Sequence, residues 1–200
     1  MFRLRPIALL VLALPAAACD PGGAPWPDGV RVDQEPIQGR PRGQPFAVGE
    51  FQVTPVASFD VEARVLGRQR YRGGVESKLS PWDLFLGWGE MSDERIVGTM
   101  EFVQMNRWGS WRSDATDLPP VTELLDQSSN MHVIPADDTV RRLLAEIRAG
   151  DRVRLVGQLV DVDRDDGWRW RTSRTRTDRG DGACELVYVT RVEWLPAGQE

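Results

Sequence analysis

The chain has 200 residues, of which 41% are hydrophobic and 28% charged, with eight tryptophans and a formal net charge of −5 at pH 7. That length fits one domain with appendages, and the apolar share is enough for a packed core. An acidic chain is poorly matched to general nucleic-acid binding, in which neutralised phosphates supply most of the affinity, so no nucleic-acid partner is expected.

Residues 1–18, MFRLRPIALLVLALPAAA, place Arg3 and Arg5 before an apolar run from Ile7 to Leu14, followed by Pro15 and three alanines. This is the order of a secretory signal peptide. The run is far short of the roughly 20 apolar residues that a membrane-spanning helix needs. The small residues end on Cys19, and there the stretch resembles a bacterial lipoprotein signal, whose lipobox ends in the lipidated cysteine. Ala16 stands where that motif usually has leucine, with Leu14 two places further back. The resemblance implies a lipid on Cys19, a membrane anchored through it, and a domain facing the periplasm. Asp20, next to the cysteine, favours retention in the inner membrane. Residues 19–49 are rich in proline and glycine with charges of both signs. Such a composition buries too little apolar area to offset its ordering entropy and predicts a flexible tether.

One β-rich domain is expected over 50–195. Phe59, Val61, Ala63 and Val65 alternate with Asp60, Glu62 and Arg64, the pattern of a half-buried strand. Gly73-Gly74 breaks the chain, and LSPWDLFLGWGEMSD at 79–93 is too dense in apolar residues for a solvent loop. Alternation returns over 96–105, RWGSWR at 107–112 reads as its hairpin partner, and a helical turn is expected around 123–126.

The stretch from Asn130 to Val162 reads as an extended lead-in, an amphipathic helix over 137–149 and a long strand. Val140, Leu143, Leu144 and Ile147 form one apolar stripe. Asp137 or Asp138 can cap the helix start, and Gly150 is expected to close its end. Beyond Val162, Asp166-Gly167 marks a hairpin turn, with Trp168 and Trp170 on one face of the return strand and Arg169 and Arg171 on the other. CELVYVTRVEWL, from Cys184, is the last strand. Three strands, one helix and two more strands predict an α+β, mostly β fold. The expected architecture is a small five-stranded barrel of the oligonucleotide/oligosaccharide-binding type, with the helix between strands 3 and 4.

Two groups of residues are candidates for chemistry. His132 is the only histidine, and Cys184 the only cysteine besides Cys19. A thiolate nucleophile needs a base and a group that orients the base, and Asp83, Asn130 or Glu185 could serve as that group, which gives a cysteine-dependent hydrolase. The opposing reading makes Cys184 a small buried hydrophobe and His132 a structural residue. The second group is Trp168, Arg169, Trp170, Arg171 and Arg174, which could grip a glycan or an anionic lipid headgroup by stacking and bidentate bonds. Alternatively, its tryptophans fill the core while its arginines pair with Asp161, Asp163, Asp165 and Asp178.

No metal or cofactor is predicted. DVDRDDG at 161–167 begins like a calcium loop, but Asp166 occupies the glycine position and Thr172 that of the bidentate glutamate. A structural zinc site lacks ligands.

Three stretches, LSPWDLFLGWGEMSD at 79–93, SSNMHVIPADD at 128–138 and GWRWRTSRTRTDRGDGACELVYV at 167–189, are similar to a family of uncharacterised proteobacterial secreted or membrane-associated proteins. The resemblance spans most of the chain from Phe59 to Val189. It implies that these stretches form a common core, and it supplies no activity. The expectation is a binding or structural module of the cell envelope, with the hydrolase as its rival.

Overall fold

The computed structural model describes residue 29 and residues 31–175, 177–178, 180 and 182–196. Residues 1–18, expected to be a signal peptide, and Cys19, the expected lipid-bearing residue, lie outside the described residues. In chain order the elements are β1 (Ile37–Gly39), β2 (Phe46–Val48), β3 (Phe51–Arg70), α1 (Glu76–Leu79), β4 (Trp82–Gly87), a 3-10 turn (Gly89–Ser92), α2 (Glu94–Val97), β5 (Met100–Met105), β6 (Trp108–Ser113), α3 (Val121–Asp126), β7 (Ser128–Pro135), α4 (Asp138–Glu146), β8 (Arg152–Asp163), β9 (Arg169–Trp170) and β10 (Leu186–Trp194). The fold is α+β and mostly β. No helix among the described residues is long and apolar enough to cross a membrane.

β3 is the frame of the molecule. Its residues 52–64 pair with β8 and its residues 64–70 with β4, both antiparallel. The ladder shifts register between Pro55 and Ala57 and again between Val65 and Gly67. Such irregularities bend a strand and raise its twist, and they also accommodate a proline that cannot donate to the ladder. From β3 the pairings run to β4, then β7, then β10 (parallel to β7), then β8, which pairs back to β3.

The sheet holds eight strands rather than the five expected. β1, β2 and β9 add short flanking pairings, and β5 and β6 form a separate two-stranded hairpin inserted between β4 and β7.

The segment read as a tether is part of the fold from Arg31 onward. Val32 is buried, with its N–H donating to Ser92 Oγ at 2.8 Å and its carbonyl accepting from Gly89 N at 2.7 Å. Composition misled here because the order is supplied by the edge of β3, not by the segment itself.

The predicted apolar stripe of α4 is the buried one. Val140, Leu144 and Ile147 join the main core, and Leu143 packs against it. Asp137 caps the helix by accepting from Val140 N at 2.8 Å. The helix stops at Glu146, three residues short of the expected end. Ile147 turns extended to stay in the core, so Gly150, at φ +91°, serves the following turn rather than the helix cap. The strand expected over 96–105 begins only at Met100, because Asp93 caps the short helix α2 by accepting from Arg95 N at 2.9 Å.

Candidate functional site

Residues of the stretches 79–93, 128–138 and 167–189 meet in the sheet. Asp83 of β4 lies opposite His132 of β7, which in turn lies opposite Leu186 of β10. Alternation along β4 and β7 points Asp83 and His132 to the same side.

There a buried polar cluster forms. Asp83 is fully buried and accepts from Arg107 Nη1 at 2.7 Å and from Asn130 Nδ2 at 3.2 Å. Asn130 also donates to the Arg107 carbonyl at 2.9 Å and accepts from Gln104 Nε2 at 2.7 Å. Arg107 comes from the tip of the β5–β6 hairpin, where Asn106 and Arg107 have φ +52° and +71°. Two successive positive φ values are the twist that a two-residue hairpin turn requires. Its guanidinium carbon lies 3.9 Å from the centre of the Tyr71 ring.

His132 Nδ1 is 3.0 Å from Asp83 Oδ1, but the approach is not aligned as a hydrogen bond, and Nδ1 is buried without a hydrogen-bond partner. The ring packs against Trp170 with centroids 4.8 Å apart. Cys184 donates to the Arg107 carbonyl at 3.8 Å. Burial pushes its thiol up to about 12, with the charges of Glu185 and Asp83 adding to the rise and a hydrogen bond with Asn130 opposing it. The structure thus brings Cys184, His132 and Asp83 into one neighbourhood, with the thiol held in its neutral form.

The arm after the Asp166-Gly167 turn keeps its predicted two faces. Trp168 packs edge-on against Phe51, and Trp170 covers His132. The arginines meet carboxylates. Arg171 contacts Asp163 at 2.5 Å and donates to the Val162 carbonyl at 2.7 Å, Arg169 is 3.6 Å from Asp163, and Arg174 is 3.4 Å from Asp161.

Two cavities open on this region. The larger, about 380 Å³, has walls of Trp108 and Trp111 from β6 and Val121 and Leu125 from α3. Its floor carries Phe85, Ser129, Asn130 and Glu185. Trp108, Val121 and Leu125 are large apolar side chains left 40%, 59% and 37% exposed at its rim. Glu185 is buried and accepts from the Ser129 hydroxyl. Trp111 keeps its indole N–H buried without a partner, a condition that calls for an explanation in a folded protein. The smaller cavity, about 270 Å³, is lined by Arg107, His132, Arg169, Trp170 and Arg171. Trp108 and Cys184 border both.

Reading the sequence missed the tryptophans of this cleft. The available signal was RWGSWR, two tryptophans within one short strand directly after a turn. Among the described residues no group of three or more His, Cys, Asp or Glu is placed to hold a metal ion. No family model, curated protein or solved structure matches the chain.

Proposed function

We propose that this protein is a glycan-binding module of the bacterial cell envelope, carried on the membrane by a lipid at Cys19 with its domain in the periplasm. The observation that carries the reading is the 380 Å³ cleft, which combines two tryptophans with hydroxyl, amide and carboxylate groups. A sugar ring has apolar C–H faces and a rim of hydroxyls, so it needs a flat apolar platform beside a few fixed donors and acceptors. Trp108 supplies an exposed platform, and Asn130, Ser129 and Glu185 line the cleft with amide, hydroxyl and carboxylate groups.

The strand order supports the same reading. β3, β4, β7, α4, β8 and β10 follow the plan of an oligonucleotide/oligosaccharide-binding barrel, with the third and fifth strands of that set parallel. In such barrels the face of strands 2 and 3 and the loop between strands 4 and 5 bind the ligand. Here those parts are β4, β7 and the segment 171–185, and all three border the cleft.

The rival is a thiol hydrolase, favoured by the contact of Asp83 with His132. It requires a thiolate near neutral pH, and the partial desolvation of the half-buried Cys184 thiol opposes that.

The test is co-sedimentation of the full-length protein, in detergent micelles, with purified peptidoglycan. Retention by the parent protein and its loss in Trp108→Ala, with an unchanged melting temperature, is the expected result. No retention by the parent, or equal retention by the variant, would overturn the reading.

A further inference from the structure

We infer that the end of β3 is a binding site for a phosphate group, formed by Arg68 and Arg70 over the ring of Trp82. This goes beyond the glycan reading, since none of the three residues lines either cavity described above.

The ladder places them. Val61, Ala63 and Val65 are the buried, core-facing residues of β3 ahead of this end. Between Val65 and Gly67 the register shifts, with Leu66 as the extra residue, so the core-facing side passes to Arg68 and Arg70. They lie opposite Leu84 and Trp82, both of which belong to the main core. Both guanidinium carbons stand over the Trp82 ring, 5.8 Å and 6.0 Å from its centre. Each such contact is attractive, and the buried ring fixes where the two cations sit.

What the pair lacks is an anion. Arg64 and Arg107 also lie in packed surroundings, and each meets a carboxylate, that of Glu94 and that of Asp83. Among the described residues, Arg68 and Arg70 form no ion pair, and their side chains donate no hydrogen bond. Arg68 is half-buried, and burial followed by repulsion from Arg70 lowers its pKa. Its Nε is shut off from solvent, which holds the stem in place. Its terminal nitrogens reach the surface beside the exposed Arg70. Two like charges are thus held on one fixed base with their forks free to donate. An anion that bridges them relieves the repulsion and accepts several N–H groups at once. A carboxylate brings a single charge on a pair of oxygens, whereas a phosphate monoester brings about −1.5 to −2 and a third oxygen. The phosphate is the better match to two guanidiniums.

The experiment follows the melting temperature of the full-length protein in neutral-detergent micelles at constant ionic strength. Inorganic phosphate is titrated in one arm. In the other, phosphatidate is added to the micelles, with phosphatidylcholine as its control. Arg70 is exposed, so Arg70→Gln should fold, and each gain is read against the same protein without phosphate. The parent should gain about 3–6 °C once phosphate exceeds its Kd tenfold, and Arg70→Gln less than about half of that. A gain with inorganic phosphate identifies a site open to the free ion, and a gain with phosphatidate alone identifies a lipid headgroup. No gain by the parent in either arm would overturn the inference. So would equal gains in parent and variant, which are the general effect of phosphate on protein stability. Either failure leaves the reading of the tryptophan cleft untouched.

Discussion

Arg107 Nη1 donates to Asp83 Oδ1 across 2.7 Å, and Asp83 has no exposed surface. The hydrogen bond ties the tip of the β5–β6 hairpin to the start of β4. A second tie runs from Arg107 N to Tyr71 Oη at 3.0 Å. Removing one member of a buried pair leaves the other charged and unsolvated, which costs roughly 3–5 kcal/mol. Arg107→Ala should lose about that much in urea unfolding. Combining it with Asp83→Asn should recover part of the loss, because the stranded group is then neutral. Equal stability of Arg107→Ala and the parent would show that the hairpin is not held by this pair.

Cys184 gives a pH dependence. Its thiol is raised to about 12, first by burial. A group whose folded pKa is raised contributes stability that is complete below its unfolded value, about 8.5, and is lost as pH climbs through the folded value. Alkaline titration from about pH 9 should therefore destabilise the parent more than Cys184→Ala. Burial also raises Tyr71 and Tyr188, so the variant retains part of the alkaline loss and the difference between the two curves isolates the thiol. At pH 8 an aromatic disulfide reagent should leave the folded thiol unmodified and react on denaturation. Rapid reaction of the folded protein would return the hydrolase to favour.

Gly157 of β8 lies opposite Val189 of β10 where the backbones approach closely. A Cβ added there would sit 2.0 Å from the Tyr188 carbonyl oxygen, a main-chain atom that cannot swing aside. Gly157→Ala should cost about 3 kcal/mol or more, at the upper end for overpacking, measured as a drop in the urea midpoint. A neutral result would mean that the β8–β10 ladder relaxes there.

Leu144 is fully buried where α4 packs on β7 and β10. Leu144→Ala should cost about 2–5 kcal/mol, the range for a core cavity of that size. A thermal melt that matches the parent would take α4 out of the core.

The helix was legible because its signals are local: one apolar stripe, and one aspartate whose carboxylate reaches the first turn. β3 was legible only over Phe59–Val65, where alternation is strict. Its extension to Phe51 and to Arg70 crosses Pro55 and Gly67, which flank irregularities of the ladder where the alternation loses its register. β1 and β2 are three residues each, too short for any period to show, and their order comes from pairing with β3. Asp83, His132 and Cys184 could be nominated by residue type alone. The tryptophan cleft could not, since it depends on where the hairpin lies over β4 and β7. That position is fixed by Arg107 at φ +71°, a conformation that arginine does not advertise.

β10 is the last strand in the sequence, yet it lies between β7 and β8 in the sheet. Until residues 186–194 are available, β7 and β8 each present an open edge, and the parallel pairing that joins them has no strand to make it. While residues 186–194 are still inside the ribosome, the chain lacks the piece that completes its hydrogen-bonding circuit. The long-range pairings of β7 and β8 with it must wait for that strand, which delays folding.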